Sequence, residues 1–91
     1  MITPTECCQL SRETVKDFIN TCGCGDMNDV RRVLTNLISM ASHAITATNG
    51  LDAALQALTN TCQHLQKTKP EYMLREVEEG IEVKPLRKTQ H

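Results

Sequence analysis

The stretch that decides the fold is Val33–Gln66, VLTNLISMASHAITATNGLDAALQALTNTCQHLQ. Counting from Val30 just before it, Val30, Leu34, Leu37, Ala41 and Ala44 recur at intervals of three and four residues. After Asn49-Gly50 the same rhythm returns in Leu51, Ala54 or Leu55, Leu58, Cys62 and Leu65. Such intervals place side chains on one stripe of an α-helix, and when sustained they form the seam of a coiled coil. The spacing therefore predicts two long helices broken at Asn49-Gly50, with Asn49 capping the second and Asp52 three residues on. Val33, Ile38 and Ile45 widen the apolar arc of the first beyond what one neighbour covers. That helix is expected either at the centre of a bundle or in an oligomer interface.

The same stretch is short of charge. From Val33 to Gln66 the only charged side chain is Asp52; outward positions are Thr, Asn, Ser, Gln and His. Solvated helix faces normally carry Glu and Lys in quantity. Neutral hydroxyl and amide groups cost less to desolvate than ions, which suits close protein contact. The bland alternative is a surface that simply tolerates Thr and Asn. The contact reading places an interface at Val33, Met40, Ala44, Ala47, Leu51 and Leu55, where small residues on the first helix would let another backbone approach.

Upstream, Thr3-Pro4-Thr5-Glu6 is a helix start. Thr3 can cap, Pro4 suits the first helical position, and Glu6 completes a capping box. Leu10, Val15, Phe18, Ile19 and Cys22 then share a face. Because Ser11 with Glu13 could restart a helix, the spacing predicts either one helix over residues 4–22 or two pieces. Gly23-Cys24-Gly25 ends it, and Asp26 caps the next helix with Asp29 near its positive end.

Downstream, Lys67-Thr68-Lys69 before Pro70 marks a helix end. The charged run Glu71–Glu79 is expected to form a short helix. Gly80–Pro85 alternates weakly, as a short edge strand or extended arm does. The tail from Leu86 to His91 is too polar to fold alone and is expected to be mobile. The expected division is a helical core over 1–69 and an arm with tail over 70–91.

Composition narrows the function classes. Ninety-one residues hold a single core. Phe18 and Tyr72 are the only aromatic residues, so that core must be aliphatic, and a second copy would enlarge it. The net charge of −1 and pI of about 6.3 provide no basic field for nucleic acid. The start has neither a basic nor an apolar leader segment. No stretch is apolar enough for a membrane span. Five cysteines with no export signal point to reduced thiols and a cytoplasmic protein.

Three constellations resemble chemistry. Cys22, Cys24, Cys62 and His64 would approach one another at one pole of an up-down-up bundle, as a conceivable zinc set. The spacing C-x-C is not the diagnostic C-x-x-C, and Cys22 and Cys62 lie on apolar seams where a thiol acts as a small hydrophobe. No metal or cofactor is therefore expected. His43 has Ser39 and Ser42 nearby but no orienting carboxylate, so no catalytic residue is assigned. Arg31 and Arg32 follow a glycine-containing turn between helices, superficially like a helix-turn-helix, and Lys84, Arg87 and Lys88 add tail charge. Against that, Asp26 and Asp29 repel phosphate at the same helix start.

The expected fold is all-α: a small antiparallel three-helix arrangement with a short fourth element, able to double into a symmetric dimer. The expected function is non-catalytic: a protein-binding adaptor or regulator, of the kind found among accessory and inhibitory proteins of bacteria and phages. The alternatives are a DNA-binding regulator and a thiol- or zinc-dependent module.

Overall fold

A computed structural model describes residues 1–85. Helix α1 spans Pro4–Cys22, α2 Met27–Asn49 and α3 Leu51–Lys67; strands β1 (Tyr72–Val77) and β2 (Gly80–Pro85) follow and pair as a hairpin. The helical class expected from the periodicity is therefore present, with a small antiparallel sheet added to it. The described residues fall into two compact units: one of residues 1–34 with 74–83, the other of 35–73 with 84 and 85. Helix α2 contributes to both.

In the first unit, α1 is one continuous helix and not two pieces. Thr3 Oγ1 accepts from the Glu6 amide at 3.1 Å, and Glu6 Oε1 accepts from the Thr3 amide at 2.9 Å, so the box satisfies two otherwise orphaned donors. Gly23, at φ +71°, closes the helix by donating to the Asn20 carbonyl. A side chain there would carry the left-handed steric penalty that glycine escapes. Asp26 Oδ1 then accepts from the Asp29 amide at 2.9 Å, as the cap reading requires. Asp29 reaches back to the Gly25 amide at 3.0 Å and sideways to Arg32 at 2.9 Å.

Ile19, Cys24 and Val30 form the buried centre of this unit. Val15, Val33 and Leu34 pack on it from the helices, and Leu74, Ile81 and Val83 from the hairpin. The hairpin corrects the expectation of a short helix over Glu71–Glu79. Nine residues, five of them charged, cannot sustain a helix in isolation. As strands, they place Leu74, Ile81 and Val83 on the core. The Glu76 carboxylate also accepts from the Met27 amide at 3.2 Å, tying β1 to the start of α2.

In the second unit Gly50 alone joins α2 to α3. The Gly50 amide closes α2 on Thr46, and its carbonyl opens α3 through the Ala54 amide. The reversal is made at φ +96°, where glycine is strongly favoured. This corrects the assignment of Asn49 as the cap. Asn49 is still helical, its side-chain Nδ2 donates to Thr48 Oγ1, and α3 begins with no side-chain cap bond. Ala54 is the buried residue of α3, 2 % exposed, with Ala53 and Ala57 half-buried beside it.

Candidate functional site

The burial pattern of α3 inverts the usual arrangement of an amphipathic helix. Its inward positions are the alanines Ala53, Ala54 and Ala57, while its leucines lie outside. Leu51, Leu55, Leu58 and Leu65 are 61, 51, 39 and 68 % exposed, and Cys62 between them is exposed too. Their intervals are four, three, four and three residues, so they form one continuous stripe two heptads long. From Leu58 to Pro70 every residue is exposed. The choice left open at Ala54 or Leu55 is thus resolved: Ala54 faces the core and Leu55 faces out.

Of the six residues expected at an interface, Met40, Ala44, Ala47, Leu51 and Leu55 are exposed. Val33 is not available in the same way, because it is half-buried against Ile19, Cys24 and Val30. Leu58 and Leu65 were passed over, although the heptad that contains Leu51 and Leu55 also contains them.

Four hydroxyls of the uncharged stretch are satisfied within their own helices. Ser42 donates to the Ile38 carbonyl, Thr46 to Ser42, Thr48 to Ala44 and Thr61 to Ala57, all at 2.8–2.9 Å. A hydroxyl already bonded to its own backbone can be covered without losing that bond, so these faces are inexpensive to desolvate.

The cysteines are distributed differently from the expectation. All five are free thiols; Cys7, Cys8, Cys22 and Cys62 are exposed and Cys24 is buried. The packed state expected for the Cys22 and Cys62 thiols is therefore corrected: both are exposed, Cys62 within an uncovered stripe. On α1 the stripe Val15–Ile19 would next pass through position 23, where the helix has already turned, and Cys24 takes that place in the core. On α3 no described residue covers Cys62. Burial raises the Cys24 thiol above its ordinary pKa; Cys22, Asp29 and Asp26 add to that rise and Arg32 opposes it. Cys22 and Cys24 belong to one compact unit, Cys62 and His64 to the other. Among the described residues no three His, Cys, Asp or Glu side chains are grouped as metal ligands.

Other candidate groups find local partners. Arg32 is held by Asp29 at the start of α2, and Ser42, beside His43, bonds backbone. Arg31 and Lys84 are exposed, while Arg87 and Lys88 lie outside the described residues. A cleft of about 580 Å³, unmarked in the sequence, opens between the end of α1 and the hairpin, with Asn20, Cys24, Arg75 and Glu82 among its walls. Its arginine is engaged by Glu82 at 2.6 Å. Among the described residues no helix is long and apolar enough to cross a membrane. No known family model, curated protein or solved structure matches this chain.

Proposed function

We propose that this chain is a small non-catalytic adaptor or regulator that works by protein contact, and that its contact surface is the outer face of α3, which receives an amphipathic helix. The observation that carries this reading is the exposed leucine stripe Leu51, Leu55, Leu58 and Leu65, interrupted only by Cys62. Scattered exposed leucines are ordinary; a stripe in heptad register is not, because that spacing is what a second helix packs against. The stability of α3 supports the same reading. A helix of 17 residues with a single buried side chain is marginal in water, since most helical stability in proteins comes from packing an apolar face. The neutral flanks and self-satisfied hydroxyls lower the cost of covering it.

The test uses a dye-labelled synthetic helix with leucines at four-three spacing and Glu/Lys elsewhere, followed by fluorescence anisotropy at low protein concentration. Wild type should bind it, and Leu55→Lys/Leu58→Lys should bind at least tenfold more weakly while its thermal unfolding is retained. A probe that fails to bind, or binds both proteins equally, defeats the reading.

A further inference from the structure

We propose that Cys22 and Cys24 form a reversible disulfide whose closure draws Cys24 out of the core and releases the hairpin, as a redox-sensitive latch in the first unit. The inference is independent of what α3 receives.

The first observation is backbone spacing. Gly23 stands between the two cysteines in the left-handed region, at φ 71° and ψ 39°. That is the mirror image of helical backbone, so it holds the α carbons on either side about 5.4 Å apart, as one helical residue does. A disulfide spans α carbons about 4.4–6.8 Å apart. Cys7 and Cys8, direct neighbours across a trans peptide, sit at about 3.8 Å, below that range.

The second observation is that the two thiols stand in opposite surroundings. Cys22 is exposed, whereas Cys24 is buried with Ile19 and Val30. Bonded sulfur atoms are about 2 Å apart, and one thiol in solvent with the other in the core does not meet that distance. Closing the bond therefore sacrifices the packing of Cys24. The third observation is what rests on Cys24. Gly80, the first residue of β2, comes so near that a β-carbon placed on it would lie 3.5 Å from the Cys24 carbonyl oxygen. Leu74, Ile81 and Val83 pack on the same cluster, so a shift of Cys24 removes the seat of the hairpin. The cleft at the end of α1, walled in part by Gly23, Cys24 and Gly80, gives a small reagent a route to this point.

The chemistry is thiol–disulfide exchange with a low-molecular-weight disulfide of the glutathione class. The Cys22 thiolate attacks one sulfur of the reagent, the reagent's S–S bond breaks, and one thiolate leaves and takes up the proton that Cys22 gave up. Burial raises the Cys24 thiol above its ordinary pKa, and Cys22 and Asp29 add to the rise, so Cys24 stays neutral until it leaves the core. Once out, it loses its proton, attacks the Cys22 sulfur and expels the second thiolate. The chain gives up two electrons and two protons, and the reagent gains them as two free thiols. The lost packing makes the bond easily reduced, which is a property of regulatory disulfides.

The test equilibrates the full chain, at low micromolar concentration, in glutathione buffers from reducing to oxidising. After free thiols are blocked with iodoacetamide, trypsin releases residues 17–31 as one peptide, in which Cys22 and Cys24 are the only cysteines. From oxidising buffer this peptide should be two hydrogens lighter than the free dithiol and carry no alkyl group. In the same sample, amide hydrogen exchange over residues 74–83 should rise about tenfold or more above that of the reduced protein. Added reductant should reverse both changes. Cys22→Ser, at an exposed position and with Cys7, Cys8 and Cys62 kept, should hold the reduced-state exchange rate in every buffer; Cys22→Ala replaces it should the serine variant not fold.

A peptide that stays doubly alkylated, carries glutathione without an internal bond, or is joined to another peptide overturns the inference. So does an internal bond that leaves exchange over 74–83 unchanged, or a Cys22 variant whose hairpin loosens equally on oxidation.

Discussion

Cys24 shows how far a single residue can depart from its local sequence. Between two glycines it reads as a turn residue, yet it is buried with Ile19 and Val30 under Leu74 and Ile81. Its thiol is raised above the ordinary range, first by burial and then by Cys22 and Asp29. A raised folded pKa means that the folded chain favours the neutral thiol. That contribution is complete below the unfolded pKa, near 8.5, and is lost as pH rises through the raised folded value. Denaturation midpoints measured from pH 7 to 10 should therefore fall more steeply for wild type than for Cys24→Ala. Parallel curves would remove the thiol from the account. The buried position was not legible because it depends on β2, more than fifty residues downstream.

At the scale of elements, the caps of α1 and α2 follow from adjacent residue types, whereas Asn49, expected to cap α3, remains inside α2. The capping box of Thr3 and Glu6 and the Asp26 cap each close within three residues, so adjacent residue types suffice to specify them. Thr3→Ala removes one of the reciprocal bonds outright and frees Glu6; it should cost about 1 kcal/mol, read from urea denaturation of the two proteins. An unchanged midpoint would mean that the first turn frays in solution despite the box. Strand β2 has the bounds expected of the edge strand over Gly80–Pro85, whereas β1, expected as part of a short helix, differs for the opposite reason. Tyr72–Val77 has the charge of a solvated helix, and its strand form is favoured only once Leu74, Ile81 and Val83 have a core to cover. Its Arg75–Glu82 pair is largely exposed and adds little.

Across the whole molecule, burial is uneven. Of the four buried residues among those described, Ile19, Cys24 and Val30 lie in the unit built from α1, the start of α2 and the hairpin, and Ala54 lies in the other. Local opening free energy follows such differences in packing. Hydrogen exchange should find the amides of residues 58–67 far less protected than those of residues 15–19 at low micromolar concentration. Protection over 58–67 should rise when the synthetic leucine helix is added, while that over 15–19 stays constant. Equal protection of both segments at low concentration would show that α3 needs no partner to be stable.

Periodicity, caps and breakers were enough to determine three helices, their approximate ends, and a heptad stripe from Leu51 to Leu65, because these depend on residues within one or two turns. The tertiary structure alone decided which side of that stripe is covered. Ala54 and Leu55 are equally helical by sequence, and only the packing at the Gly50 reversal turns the alanine inward and leaves the leucines outside. The same holds for β1, whose strand form depends on core contacts with Ile19, Cys24 and Val30, too distant in the chain for local spacing to encode.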